Sequence, residues 1–237
     1  MQTIDRVEEF EGEIGRSFEL KRRISAAVAQ SVSDGLFPLV LAGNCNSTVG
    51  VHAGLPPQRT GVIWFDAHPD FDTPEEHRSG YFDGMGAATL TGRCWTAMAS
   101  SVPGHRPLPD TDLVYCGIRD FEPGQAERVR GCGIAAVAGS IERPTDFVAG
   151  LRAELARITF DRAVVHVDLD CLDTSVGQAN EYAAPGGLSA EQLLDCIAEV
   201  RRRVRPVAMT VASFNPRLEG ADRISAAGRA AIVATLA

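Results

Sequence analysis

Two short acidic segments carry residue types that could bind metal ions. In the first, Asp66, His68 and Asp70 follow the apolar run 61–65 at alternate positions. Side chains of an extended segment alternate with a period of two, so the spacing predicts that all three share one face. Carboxylates gathered without an Arg or Lys would repel one another unless a cation neutralised them. The segment therefore predicts a metal site; a loop that uses Asp side chains as turn caps is the alternative.

The second segment, 163–173, repeats this pattern. His166, Asp168 and Asp170 alternate, and Asp173 follows. Mixed carboxylate and imidazole ligands suit Mn²⁺, with Zn²⁺, Fe²⁺ or Ni²⁺ as alternatives, whereas Ca²⁺ and Mg²⁺ prefer oxygen ligands alone. Four or more carboxylates are too many for one divalent ion but enough for two ions that share bridging carboxylates.

His166 has two interpretations. It could be a strand histidine that bonds to a backbone carbonyl. Alternatively, it could support the metal ligands or face the ions as an additional base. The sequence leaves both open.

The surrounding chain alternates apolar strands with amphipathic helices. Strands are predicted at 37–44, 61–66, 112–118, 133–138, 163–170 and 207–214. Helices are predicted at 19–35, 46–54, 84–95, 122–131, 145–158, 189–204 and 225–237. This order predicts an α/β fold, a three-layer α-β-α sandwich with a mainly parallel sheet, in a single domain over 1–237. Ligands of such sheets bind at the carboxyl ends of the strands, where both acidic segments fall.

The composition of the chain argues against nucleic-acid and membrane partners. The formal net charge is −8 over 237 residues, which argues against a nucleic-acid or anionic-membrane surface. No apolar run approaches the roughly 20 residues that span a bilayer. The N-terminal segment is acidic, unlike a signal peptide, and the six cysteines lack paired spacing. We therefore expect a cytoplasmic protein with reduced thiols that acts on a small molecule.

Two motifs resemble a known family. "FDAHPD" (65–70) and "VDLDCLD" (167–173) resemble the paired metal motifs of the ureohydrolases, which include arginase, agmatinase and formimidoylglutamase. Weaker matches are "LAGNCNSTVG", similar to the family's Gly-Gly-Asp-His-Ser segment, "GIRDFEPGQ", similar to its substrate-side loop, and "FNP" at 214–216. The resemblance implies an arginase-like fold, two Mn²⁺ ions (with Fe²⁺ or Zn²⁺ as alternatives) and a homo-oligomer.

The resemblance also implies a role for each acidic residue. Asp66 and Asp168 would bridge the two ions. Asp70 would complete the shell of one ion, and His68 and Asp170 would complete that of the other.

Cys45 falls where the family has its first histidine ligand, although an alignment shifted by one residue would place Asn46 there. A thiolate is softer than imidazole, so this position could hold Mn²⁺ weakly, favour Fe²⁺ or Zn²⁺, or stay without an ion. Burial of Cys45 as a small apolar side chain is the alternative.

Positions that would handle substrate depart from the family pattern. Asp83 falls at the position of a proton-shuttle histidine, and Ser213 at that of a carboxylate that holds a guanidinium group. Glu122 corresponds to an acid near the substrate's α-amino group, and Asn215 belongs to the late "FNP" motif. Asp170 would also hold the amino group of the tetrahedral intermediate, and His166 is the candidate additional base.

The resemblance implies a hydrolase of linear C–N bonds in amidines or guanidines that uses metal-bound hydroxide. Ser213 cannot neutralise a guanidinium, so either Glu181 or Glu219 reaches in, or the substrate is less basic, such as an N-hydroxyguanidino compound. Two other functions stay open. One is a non-catalytic arginase-fold binding protein, and the other is a metal-dependent amidohydrolase on the same scaffold.

Overall fold

The computed structural model describes residues 1–10 and 12–237. Its centre is a six-stranded sheet in the order β1-β6-β5-β2-β3-β4, and every neighbouring pair is parallel. The strands are β1 (Leu39–Leu41), β2 (Gly61–Phe65), β3 (Leu113–Cys116), β4 (Ala135–Val137), β5 (Arg162–Asp168) and β6 (Arg205–Ala212). All six predicted strands are present, and the central strands β2 and β3 are buried along their whole length, as their apolar runs predict.

Eight α-helices surround the sheet within the described residues. They are α1 (Glu13–Ser33), α2 (Ser47–Gly54), α3 (Gly86–Leu90), α4 (Thr96–Ser100), α5 (Gln125–Gly131), α6 (Phe147–Leu155), α7 (Ala190–Arg203) and α8 (Ala221–Leu236). The prediction of one helix over 84–95 is wrong. That stretch contains a 3₁₀ turn at Phe82–Met85, α3, and then an interruption where Gly92 and Trp95 have φ of 78° and 53°. Such left-handed residues end a helix.

Helices cover both faces of the sheet and form the predicted three layers. On one face, Phe147 of α6, Leu193 of α7 and Ile224 of α8 pack with Ile63 and Val165. On the other face, Val49 of α2 and Val129 of α5 belong to a second apolar cluster with Trp64 and Tyr115, and Ile24 of α1 joins it. None of the helices in the described ranges is long and apolar enough to cross a membrane.

The two central strands bring the two acidic segments together. β2 and β5 are neighbours, with Phe65 aligned to Val167. The residues that follow, Asp66 and Asp168, therefore leave the sheet side by side at its carboxyl edge, as the sequence predicts.

Candidate metal centre

A cavity of about 520 Å³ opens at this edge of the sheet. Ten of the eleven predicted site residues line it: Cys45, Asp66, His68, Asp70, Asp83, Glu122, Asp168, Asp170, Ser213 and Asn215. His166 is the eleventh and does not belong to the lining. The structure thus gathers residues from six separate stretches of the chain around one opening.

The first acidic segment is not extended over its whole length, so its predicted alternation is wrong in detail. β2 ends at Phe65, and Asp70 has a left-handed φ of 48°. Asp66 Oδ1 accepts a hydrogen bond from the His68 backbone N–H at 2.8 Å, which bends the chain into a turn. Asp70 is nevertheless buried beside the cavity because the turn folds it back.

The second segment turns in the same way. Asp168 Oδ1 accepts from the Asp170 backbone N–H at 2.8 Å, and a short 3₁₀ turn, Leu169–Cys171, follows. Each of the two bridging candidates, Asp66 and Asp168, thus caps a turn with Oδ1. The second carboxylate oxygen of each stays close to Cys45 Sγ. Turn capping and metal binding are therefore compatible at these positions.

Two groups of donor atoms share Asp66. In each group the potential ligand atoms lie within 4.8 Å of one another; one comprises Cys45, Asp66 and His166, and the other comprises Asp66, His68 and Asp170. His68 Nδ1 lies 3.5 Å from Asp66 Oδ1 and 3.3 Å from Asp170 Oδ2. This donor set of carboxylate, imidazole and thiol fits two divalent cations with Asp66 between them.

Cys45, and not Asn46, faces these carboxylates. Its Sγ lies 2.8 Å from Asp168 Oδ2 and 3.6 Å from Asp66 Oδ2. The Asn46 amide instead donates to the Phe82 carbonyl at 3.0 Å and to Asp83 Oδ1 at 3.2 Å. Asp70 lines the same cavity but lies outside both compact donor groups.

The electrostatics of the cluster call for positive charge. Burial raises the pKa of Asp66 to about 6 and the pKa values of Asp70 and Asp168 well above their usual range, with neighbouring carboxylates adding to the effect. Burial alone would lower the pKa of His68, but hydrogen bonds to Asp170 and Asp66 outweigh it and raise that pKa to about 12. Among the described residues, neither Lys nor Arg lines the cavity. Divalent ions would supply the missing charge.

His166 lies inside the sheet behind the cluster. It is fully buried, Trp64 lies against it with ring centroids 4.0 Å apart, and its Nδ1 is 2.8 Å from Thr48 Oγ1. Its Nε2 points toward Asp66, 4.0 Å from Oδ2. The predicted bond to a backbone carbonyl is absent from the described contacts of this side chain.

The outer wall of the cavity includes Glu181, which the sequence analysis considered, and other residues that it did not single out. Glu181 lines the cavity whereas Glu219 does not. Tyr81 and Tyr182 approach each other across the opening with ring centroids 5.5 Å apart. Asn180 donates to Asp170 Oδ2 at 2.8 Å. Loop residues of this kind have no periodicity, and only the Asn-Glu-Tyr cluster after the second acidic segment could have drawn attention to them.

Comparison with known proteins identifies the fold and its family. The Arginase family model matches residues 3–237. The chain belongs to the arginase family. The arginase of Entamoeba histolytica is 27% identical over 190 residues, which cover 76% of this chain and 62% of that protein. The arginase of Bacillus caldovelox is 36% identical over 119 residues, 49% of this chain and 40% of that protein.

A solved arginase structure from Bacillus caldovelox superimposes with a TM-score of 0.82 at 26% identity, covering 99% of this chain and 81% of that chain. The arginase-like three-layer fold and the ureohydrolase resemblance are therefore confirmed. This arginase-family chain spans only 62% and 40% of the length of the two curated relatives.

Proposed function

We propose that this arginase-family chain is a binuclear metal-dependent hydrolase of linear C–N bonds in amidines or guanidines. One observation carries the proposal: Asp66 belongs to both donor groups at the floor of an open cavity. A shared carboxylate between two cation sites is the arrangement that two-metal hydrolases use. When bound, the ions supply a Lewis acid and lower the pKa of a water molecule.

The chain's own residues would orient the reacting groups. Ala67 N–H and the Asn180 amide donate to the two oxygens of Asp170 at 3.1 and 2.8 Å, which fixes the carboxylate that would hold the substrate's amino group. Asp83 lies on the wall, where the Asn46 amide and the Tyr81 hydroxyl donate to its oxygens at 3.2 and 3.3 Å. In this arrangement Asp83 is the proton carrier between cavity and solvent.

The substrate proposal follows from the charge of the wall. Asp120, Glu122 and Glu181 line the outer cavity, so a cationic tail such as an α-amino group would be attracted there. Ser213, near Cys45 Sγ at 3.9 Å, cannot neutralise a buried guanidinium. We therefore propose an N-hydroxyguanidino amino acid or another weakly basic amidine, with arginine and agmatine cleaved slowly or not at all.

Metal analysis and a substrate panel test the proposal. After loading with Mn²⁺, and separately with Fe²⁺ or Zn²⁺, the protein should hold more than one ion per chain, and Asp66→Asn should lose most of it. Urea and amine release is then measured with arginine, agmatine and N-hydroxyarginine. Binding of metal without turnover of any substrate would favour a binding protein, and failure to bind any ion would refute the metal centre. Arginine cleaved as fast as N-hydroxyarginine would refute the substrate proposal alone.

A further inference from the structure

His166 has an unsatisfied ring nitrogen at the bottom of the site. Its side chain is 0% exposed, and Nε2 has no hydrogen-bond partner among the described residues. A buried polar atom without a partner destabilises the folded chain, because it has lost its hydrogen bonds to water. The nearest acidic atom, Asp66 Oδ2, is 4.0 Å away, too far for a hydrogen bond.

The contacts of the imidazole favour a tautomer that can bind metal. Nδ1 lies 2.8 Å from Thr48 Oγ1, so an Nδ1–H that donates to Thr48 leaves a lone pair on Nε2. Histidine ligands are commonly fixed in this way by a bond from the opposite nitrogen. Two acceptor atoms, Nε2 and Asp66 Oδ2, then face each other, and a positive ion between them would satisfy both.

Cys45 contributes a third donor atom close to Asp66 Oδ2 and His166. Its Sγ lies 3.6 Å from Asp66 Oδ2 and within 4.8 Å of the His166 donor atom. Donor atoms about 2.0–2.3 Å from one zinc ion lie at most about 4.6 Å apart. The Cys45 Sγ and His166 Nε2 separations of 3.6 and 4.0 Å from Asp66 Oδ2 are therefore compatible with one ion bound by all three atoms.

The surroundings hold these donors in place. Trp64 lies against the His166 ring and donates its indole N–H to Asp66 Oδ2 at 2.8 Å. His166 takes no part in the cavity lining, so it cannot meet a substrate there as a base. The Nε2 of His166, unpaired among the described residues, is therefore free to bind an ion on the side of Asp66 that faces the sheet.

We propose that Cys45, Asp66 and His166 form a site for a thiophilic divalent ion, with Zn²⁺ preferred over Mn²⁺. His166 is then a metal ligand and a departure from the ligand set that the family motifs imply. Sulfur and imidazole donors favour Zn²⁺, whereas Mn²⁺ is better matched by oxygen-rich shells. Binding releases the thiol proton of Cys45 to solvent, since the thiolate is the ligand. The inference rests on the metal-binding part of the proposed function and is independent of the substrate.

Histidine NMR during zinc titration tests the inference on the wild-type chain. The sequence has five histidines, so the ¹⁵N resonances of their rings can be resolved. We expect Zn²⁺ to shift one ring nitrogen of His68 and Nε2 of His166. A shift of His68 alone would overturn the inference and leave the proposed metal hydrolase intact. Shifts of neither would overturn both.

Cobalt spectroscopy gives a second, variant-based test. Wild-type protein with Co²⁺ should show a near-ultraviolet sulfur-to-cobalt band that Cys45→Ser removes. His166→Gln should keep that band, change the visible ligand-field spectrum and weaken Co²⁺ binding at least tenfold. The control is His52→Gln, which alters another buried histidine and should change neither spectrum nor affinity. Identical Co²⁺ spectra and affinities for wild type and His166→Gln would overturn the proposal.

Discussion

Cys45 distinguishes this cluster from a metal centre whose ligands are only oxygen atoms and imidazoles, because it adds a thiol to the donor atoms. Its thiol is buried, and burial together with the charges of Asp168 and Asp66 raises its pKa well above the usual range. A thiol in such surroundings ionises only when a cation is present. In the proposed centre, the choice of metal would therefore depend on this side chain and the donor atoms around it.

We expect Cys45→His to shift metal preference toward Mn²⁺. Imidazole suits Mn²⁺ better than thiolate does, so the affinity for Mn²⁺ should rise, by about tenfold, and the Zn²⁺-to-Mn²⁺ affinity ratio should fall. Isothermal titration with each metal measures both constants. Cys94→Ser, at a buried cysteine away from the acidic cluster, serves as control. An unchanged Zn²⁺-to-Mn²⁺ affinity ratio in Cys45→His would show that Cys45 is not a metal ligand and only packs in the core.

Lys21 is a buried charge for which the proposed function has no use. It is the single lysine of the sequence. It is 1% exposed, donates to Ser17 Oγ at 2.7 Å, and lies over the rings of Phe18 and Phe82. Burial lowers its pKa from 10.5 to about 7, although the charge of Asp83 partly opposes this. Between these two values the unfolded chain binds more protons than the folded one, so this group makes stability rise with pH.

Lys21→Met should therefore stabilise the fold most at pH 6–7, by on the order of 2 kcal/mol, with the gain shrinking toward pH 10. Urea unfolding at a series of pH values measures the free energy of unfolding. Gln30→Met, an exposed change on the same helix, should show no such trend. A gain independent of pH would contradict the shift, because it would mean that the pKa of Lys21 is the same in the folded and the unfolded chain.

Helix α2, which begins two residues after Cys45, packs with its backbone unusually close to that of α1. A methyl group on Gly54 would lie 2.5 Å from the Ser25 carbonyl oxygen, and one on Gly50 would lie 2.7 Å from the Lys21 carbonyl oxygen. The two glycines, one helical turn apart, therefore let the backbones touch. The same helix carries Thr48, whose hydroxyl lies 2.8 Å from His166 Nδ1.

Gly54→Ala should destabilise the protein by about 1–3 kcal/mol, because α1 and α2 must separate to admit the methyl group. Thermal unfolding measures the loss. Gly131→Ala is the matched control: Gly131 ends α5, and a methyl group there would meet nothing within 4 Å among the described atoms. The control should be neutral or slightly stabilising, since alanine favours helices. Equal effects of the two substitutions would contradict the close-contact explanation.

Across the whole molecule, the sheet ends at β1, whose outer side carries exposed apolar side chains. Leu39 and Leu41 of β1 are 37% and 68% exposed, Leu36 just before the strand is 62% exposed, and β1 pairs with β6 alone in the described sheet. Apolar sheet edges commonly mediate association.

We predict a homo-oligomer that uses this edge. Light scattering at micromolar concentration should give at least twice the mass of one chain, and Leu41→Glu should lower it. Ile141→Glu, at another exposed apolar residue, should leave the mass unchanged. A wild-type mass equal to one chain would refute the prediction.

Much of the architecture could be read from local patterns. All six strands were predictable because each is a short apolar run between turn signals, and the central strands, buried on both faces, require such runs. The position of Asp66 and Asp168 at one edge also followed, since parallel strands place their carboxyl ends together. Helix boundaries such as the start of α1 at Glu13 were less predictable, because end residues pack weakly and their sequence signals are short.

For the site, too, local sequence determined some features and tertiary packing determined the others. Residue types and spacing sufficed to select the two acidic segments, because clustered carboxylates without basic neighbours require a cation. Three-dimensional packing was needed to bring Cys45 rather than Asn46 to Asp168, to move His166 out of the cavity and to place Asn180 on Asp170. These contacts join residues up to 123 positions apart. Their distances depend on how helices and loops pack on the sheet, and no local pattern of residues encodes that.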